Sequence, residues 1–182
     1  MGHLTKEDNR VIMVDLETSG ISDKCGILSI GAVNLSDNED YYAEAFLRDD
    51  TEIGPTSLQV NGFTEEECYD KGKRSQSQIV SDFYRWVETQ KYKHEKRPII
   101  GGHNIVFDIG FLRRERSSWP FAFRSVDTHG VGLAVLGRSH CSETLCDALG
   151  VDREPKIHNA LEGAKMAKRC LLELTKRGRA WK

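Results

Sequence analysis

Asp15 and Glu17 stand two residues apart, directly after the apolar run Val11-Ile12-Met13-Val14. A short continuous apolar run reads as a strand buried on both faces. In a strand, residues i and i+2 point to the same side, so the two carboxylates project together where the chain turns at Thr18-Ser19-Gly20. Like charges at that spacing repel unless water solvates both or a cation lies between them. Acidic oxygens suit magnesium or manganese. A third carboxylate, Asp108, follows Gly102-His103-Asn104-Ile105-Val106-Phe107. There a strand ends and a helix begins, with Asn104 as the expected N-cap. Asp108 then lies in the first turns of that helix and faces the end of the sheet, where ligands of α/β folds gather. A favourable charge near a helix N-terminus explains the same residue without a ligand. His158 opens the last amphipathic segment; imidazole is the side chain that exchanges protons near neutral pH. Carboxylates and an imidazole from three separate segments, each near an element end, are the materials of metal-assisted hydrolysis, if one cleft collects them.

The elements that must position these groups follow from periodicity. Ile27–Leu35 and Tyr41–Leu47 read as a second and third strand, joined by a turn at Asp37-Asn38-Glu39-Asp40. Three strands linked by short turns predict an antiparallel meander. Pro55 suits a helix start, so Thr56–Val60 is expected to form a short turn of helix. Thr64 and Glu67 have the capping-box spacing, which predicts a second helix start. Ile79, Phe83, Trp86 and Val87 place an amphipathic helix over Ser75–Gln90. Lys91–Arg97 is a charged, exposed linker, and Arg97–Gly101 a fourth strand. Phe121–Val126 is expected as a fifth strand ending at Asp127-Thr128, followed by helices at Thr128–Leu136 and Ser142–Leu149. Ser142 is the expected N-cap of the second of these and Gly150 its C′ residue. The final helix runs from about His158 to Arg177. Strands first, then alternating helix and strand, give a mixed α/β sheet with helices on its faces.

With 182 residues the chain reads as a single domain with a core over about 10–175, a short polar N-terminal tail and a basic C-terminal tail. A net charge of −2 gives no global attraction to polyanions, so binding a nucleic acid needs local basic groups or bound metal. Basic clusters at Arg113-Arg114-Arg116 and Lys165, Lys168, Arg169 serve either phosphate guidance or ordinary solvated helix faces. No stretch of ~18 apolar residues spans a membrane and no signal-peptide core is present, so a cytoplasmic location is expected. The five cysteines lack zinc-knuckle spacing and read as reduced thiols, several of them in the core.

Taken together, these motifs resemble the DEDDh family of 3′-to-5′ exonucleases, the class of polymerase proofreading subunits and oligoribonuclease. Asp15-Leu16-Glu17-Thr18-Ser19-Gly20 resembles the first motif of that family, and His103-Asn104-Ile105-Val106-Phe107-Asp108 the second. His158-Asn159-Ala160-Leu161-Glu162-Gly163-Ala164 is similar to the third. Leu58-Gln59-Val60-Asn61-Gly62-Phe63-Thr64 is similar to the segment that packs on the terminal base, and Asp127-Thr128 to a strand-end pair. The resemblance implies a ribonuclease H-like fold, with antiparallel strands 1–3 and then parallel strands. It implies a hydrolase that releases nucleoside monophosphates from single-stranded DNA or RNA 3′ ends. Two divalent cations, Mg2+ or Mn2+, would be held by Asp15, Glu17 and Asp108, with His158 as general base. Thr18, Gly20, Leu58, Val60, Asn61, Phe63, His103, Asn104 and Phe107 are the implied substrate contacts. A separate polymerase is a candidate partner.

One position departs from the pattern. The family places an aspartate five residues after the histidine, and here Gly163 stands there. Glu162 is one helical step, about 100°, away and faces elsewhere. A glycine in a helix also costs ~0.5–1 kcal/mol against alanine, with no structural return evident from sequence. Impaired catalysis is therefore expected. The alternative is a catalytically inactive module that binds nucleic acid or a partner without cutting.

Overall fold

The computed structural model describes residues 10–37, 39–91 and 96–179. The expected N-terminal tail, positions 180–182 of the C-terminal one, Asn38 of the first turn, and positions 92–95 of the charged linker lie outside the described residues, while the start of the basic C-terminal tail continues α7 to Arg179. The first three strands are β1 (Val11–Thr18), β2 (Ile27–Asn34) and β3 (Asp40–Phe46). Two short helices follow, α1 (Ser57–Asn61) and α2 (Glu65–Cys68), the latter carrying the expected capping box of Thr64 and Glu67. Then come β4 (Arg74–Ser75), α3 (Gln76–Lys91), β5 (Ile99–Gly102) and α4 (Val106–Glu115). The chain continues through β6 (Ser125–Asp127), α5 (Thr128–Leu136), α6 (Ser142–Leu149) and α7 (Ala160–Arg179).

The strands form one sheet in the order β4-β3-β2-β1-β5-β6. β1, β2 and β3 pair antiparallel, while β5 and β6 run parallel to β1. This is the expected mixed sheet. β1 lies at its centre, buried on both faces, and its alternation sorts the core. Ile12, Val14 and Leu16 face the large cluster that includes Phe83, Phe111 and Leu112, under α3 and α4. Val11 and Met13 face Ala164, Ala167 and Leu171 of α7. By the same period of two, Asp15 and Glu17 fall on the α7 face.

Several expectations change in detail. β1 extends to Thr18, so both carboxylates lie within the strand, paired across β2 with Gly31 and Ser29. β4 is a two-residue strand too short to show periodicity, pairing Arg74 and Ser75 with Ala45 and Phe46. The fifth strand shrinks to Ser125–Asp127 because Phe121 leaves the sheet to enter the core as loop, held by Ala122 N–H donating to Pro98 O. The starts of α6 and α4 shift: Cys141, not Ser142, is the extended residue before α6, and Asn104 precedes α4 with φ +57° while Ile105 occupies the cap. Asparagine is one of the few residues that enter the left-handed region readily. The turn it makes here presents its backbone N–H to Asp127 Oδ1 at 2.9 Å. α7 begins at Ala160, which leaves His158 in the preceding loop.

The basic clusters are engaged with the protein itself. Lys168 is buried and donates to Asn34 O at 2.6 Å, Arg114 lies over the Phe111 ring, and Arg113 over that of Trp119. Lys165 pairs with Asp40 and Glu162. Four of the cysteines are buried and Cys141 is exposed. Among the described residues no helix is long and apolar enough to cross a membrane.

Candidate active site

The site opens where the sheet splits. β5 pairs with β1 only from Val11 to Met13, so the β5 side of β1 beyond that point has lost its ladder partner. Buried backbone donors need an acceptor, and the Asp108 carboxylate provides one, taking the Leu16 N–H at 3.0 Å. That bond draws the buried Asp108 from α4 to the segment that carries Asp15 and Glu17.

On the opposite face, α7 presses onto the same segment. Gly31, directly across from Asp15, has no side chain to hold the helix off: a Cβ there would meet Ala160 and Leu161 backbone atoms at 2.1–2.2 Å. Gly163 completes the fit, since a Cβ at that position would lie 2.3 Å from Asp15 Oδ2 and 2.8 Å from its Cγ. The structural return for glycine at 163, invisible in the sequence, is the space into which the Asp15 carboxylate packs. Glu162 turns outward to Lys165, 3.6 Å away.

His158 reaches the carboxylates from the loop before α7. Its backbone N–H donates to Val60 O at 3.0 Å, and Asn61 Nδ2 donates to Thr18 O at 3.1 Å. α1 therefore ties the histidine loop to the end of β1. Ligand atoms of Glu17, His158 and a further residue, Glu154, all lie within 4.8 Å of one another. Glu154 was not among the residues that sequence reasoning singled out. It sits in the loop Arg153-Glu154-Pro155-Lys156-Ile157, where no helical or strand period predicts which way a side chain points.

Two adjoining clefts flank this cluster. One, of about 330 Å³, is lined by Glu17, Thr18, Gly20, Val60, Asn61 and the highly exposed Ile21. The other, of about 200 Å³, is lined by Asn61, Phe63, Ile157 and His158 among others. The buried Ser19 holds the walls together, its hydroxyl donating to Glu52 O and its carbonyl accepting from Gly54 N and Ser57 Oγ. Other expected contacts lie elsewhere. Leu58 packs with Leu28, Leu47 and Cys68. His103 meets Thr128 Oγ1 at 3.0 Å, Asn104 is exposed beside Asp127, and Phe107 packs on Phe111. None of these four lines either cleft. A larger cavity of about 680 Å³, between α3 and the Arg116–Pro120 loop, holds none of the cluster's carboxylates.

Burial and mutual repulsion set the electrostatics. Asp15 is held well above the usual carboxylate range, first by burial, then by Asp108, Glu17 and Glu154. Asp108 is raised by burial in spite of the hydrogen bonds it accepts. Burial, aided by Glu154, pushes Glu17 up to about 8. Carboxylates that keep protons near neutrality are poised to exchange them for cations. The donor set, all carboxylate oxygen apart from one imidazole, fits magnesium or manganese.

The sign of the pH dependence follows. Between its ordinary value and about 8, Glu17 is protonated in the folded chain and ionised in the unfolded one. The folded state binds the extra proton, so this contribution to stability is greatest at acid pH and is lost as pH rises through about 8. The melting temperature of chelator-treated protein should fall between about pH 5 and about pH 8.5. Mn2+ should raise it, and more at the alkaline end. A metal-induced rise that is the same at both ends would remove the basis of this account.

The model of the Rv2179c-like 3′-5′ exoribonuclease domain matches residues 10–175. The chain belongs to that family. Among solved structures it is similar to the nuclease domain of 3′hExo, a DEDDh family member bound to rAMP. That likeness has a TM-score of 0.71 and 13% identity and covers 92% of each chain. Pop2p of S. pombe, in its Mg2+- and Mn2+-bound form, gives a TM-score of 0.69 at 16% identity, over 94% of this chain and 84% of that one. These likenesses establish the ribonuclease H-like nuclease fold for the exoribonuclease-family chain. A local similarity, 26% identity over 115 residues, links it to a PolC-type DNA polymerase III of Pediococcus pentosaceus. It spans 60% of this chain and 7% of that polymerase.

Proposed function

We propose that this exoribonuclease-family domain removes nucleoside monophosphates from the 3′ ends of single-stranded nucleic acid, RNA before DNA, by metal-assisted phosphodiester hydrolysis. The observation that carries the reading is the convergence of Asp15, Glu17, Asp108 and His158, from three segments, beside a cleft open to solvent. Asp15, Glu17 and Asp108 would hold two divalent cations. When bound, such ions offset the carboxylate charge, polarise the phosphate and make water a nucleophile at neutral pH.

The chain's own groups do the rest. His158 Nδ1 faces Glu154 at 3.4 Å, which leaves Nε2 to take the proton as a water oxygen bonds to phosphorus and the bond to the preceding 3′-oxygen breaks. Thr18, Gly20, Val60 and Asn61 line the wall where the terminal nucleotide lies. Ile21 and Val60, both exposed, offer apolar surface to its base, a contact worth ~1–3 kcal/mol and tolerant of sequence. A separate polymerase remains a candidate partner, on the local PolC-type similarity alone.

Gly163 slows this chemistry by leaving α7 without a carboxylate at the site. The test is a 5′-labelled RNA and a 5′-labelled single-stranded DNA with Mg2+ or Mn2+, run on the chain and on Gly163→Asp. The expected result is stepwise shortening from the 3′ end, stopped by chelation. Gly163→Asp should be faster on the order of tenfold, or ~1.4 kcal/mol of barrier, once Asp15 turns aside to admit it. Equal rates would dismiss the impairment. Binding without shortening by either version would favour a pseudonuclease.

A further inference from the structure

Glu154 belongs to none of the motifs, yet it points into the site. Its side chain is only 8% exposed, one carboxylate oxygen lies 3.4 Å from His158 Nδ1, and the other, Oε2, is buried without a hydrogen-bond partner. A buried unpaired carboxylate oxygen is costly and keeps its place where something else satisfies it. Ligand atoms of Glu17, Glu154 and His158 already lie within 4.8 Å of one another. The carboxylate is also close enough to Asp15 to act on its charge. Position 163 supplies no oxygen, and its backbone is in contact with the Asp15 side chain.

We infer that Glu154 supplies from the loop before α7 the metal-binding carboxylate that position 163 lacks on the helix. The inference rests on the proposed metal-dependent function and deepens it. It makes the deficit caused by Gly163 partial, because the ligand is relocated from a rigid helix to a loop. Glu154, Glu17 and Asp15 then form the carboxylate set of one divalent cation, with Asp108 on the other side of β1. The loop that carries Glu154 is tied down four residues on, where the His158 N–H donates to Val60 O of α1.

Mn2+ titrated calorimetrically at about pH 8 into the chain, Glu154→Gln, Gly163→Asp and the double variant tests this without reference to cleavage. Glu154→Gln should weaken Mn2+ binding at least tenfold. Adding Gly163→Asp to it should restore binding by a larger factor than Gly163→Asp gives alone, since two groups serving one role do not add. Metal-free melting curves identify folded variants, and Glu154→Gln should melt no lower than the chain, having lost a repelling charge. Affinity unchanged in folded Glu154→Gln overturns the inference, as does a chain that binds no Mn2+. If Glu154 instead only orients His158, Glu154→Gln would keep its Mn2+ affinity and shift the pH profile of cleavage, which also overturns it. A chain that binds Mn2+ through Glu154 yet shortens no strand would uphold the inference and defeat the nuclease reading.

Discussion

Asp15→Asn should slow strand shortening by orders of magnitude and at the same time raise the melting temperature of the chelator-treated protein. The two effects have one cause. Asp15 lies between Glu17, Asp108 and Glu154, each of which raises its proton affinity or is raised in concert with it. An amide has nearly the shape of the protonated acid, so it keeps the fit against Gly163, and it cannot ionise as pH rises. The stability gain should therefore be smallest near pH ~4, the ordinary carboxylate range, and grow as pH rises from there, because the unfolded chain ionises Asp15 while the fold holds its proton. For a chain of this size each kcal/mol moves the melting temperature by about 2–4 °C. The same change removes one of the carboxylates that would hold the proposed cations. If those ions supply several kcal/mol of transition-state stabilisation, the rate should fall on the order of 1,000-fold. The rise in melting temperature on adding Mn2+ should shrink with it. Thermal melts with and without Mn2+ beside the RNA assay read all three quantities. An Asn version that melts lower at alkaline pH, or that still cuts at a comparable rate, would show that Asp15 serves packing and not chemistry.

What could be read in advance depended on where each residue sits. Asp15 and Glu17 were legible because strand alternation is rigid: once Val11–Val14 is a buried strand, a common face for the two carboxylates follows. Asp108 was legible as a first-turn residue of α4. Its bond to Leu16 N–H was not, because that depends on β5 releasing β1 after Met13, a tertiary fact. The helices α5 and α6 were set by local pattern and by glycines in the left-handed region at their ends. Loops carried the surprises. Glu154 and Ile21 lie in loops whose neighbours His158 and Ser19 bond to distant segments through the backbone, contacts that leave no period in the sequence. Asn104 was mistaken for a cap because the same side chain suits a cap and a left-handed turn. Leu58 and Phe107 stood in motifs that resemble substrate-binding segments, and the structure packs both against apolar neighbours. Gly163 was legible as an absence of carboxylate and illegible as a packing contact, since only the fold brings it onto Asp15.

Gly31→Ala is expected to damage stability and activity together, and more severely than alanine at 163. At Gly163 the atoms in the way belong to the Asp15 side chain, whose carboxylate can turn. At Gly31 they are the carbonyl carbon and oxygen of Ala160 and the nitrogen of Leu161, backbone that moves only if the helix moves. Overpacking of this kind costs ~1–3 kcal/mol, and at about 2–4 °C per kcal/mol the melting temperature should drop by roughly 2–12 °C. The activity loss has a separate geometric cause. Ala160 begins α7, and His158 lies two residues upstream on the loop that α1 holds through Val60 O. Lifting the helix start off β2 pulls His158 and Glu154 away from Asp15 and Glu17, so Mn2+ affinity should weaken even at temperatures where the variant is fully folded. Gly130→Ala is the control. That glycine is exposed in α5 with no atom within 4 Å of an added Cβ, and alanine there should be neutral or stabilise by up to ~1 kcal/mol. Should Gly31→Ala melt and bind Mn2+ as the unaltered chain does, α7 does not owe its seat beside the carboxylates to Gly31. The close approach of helix to strand would then have to be tolerant of a methyl group, contrary to the contact distances at its centre.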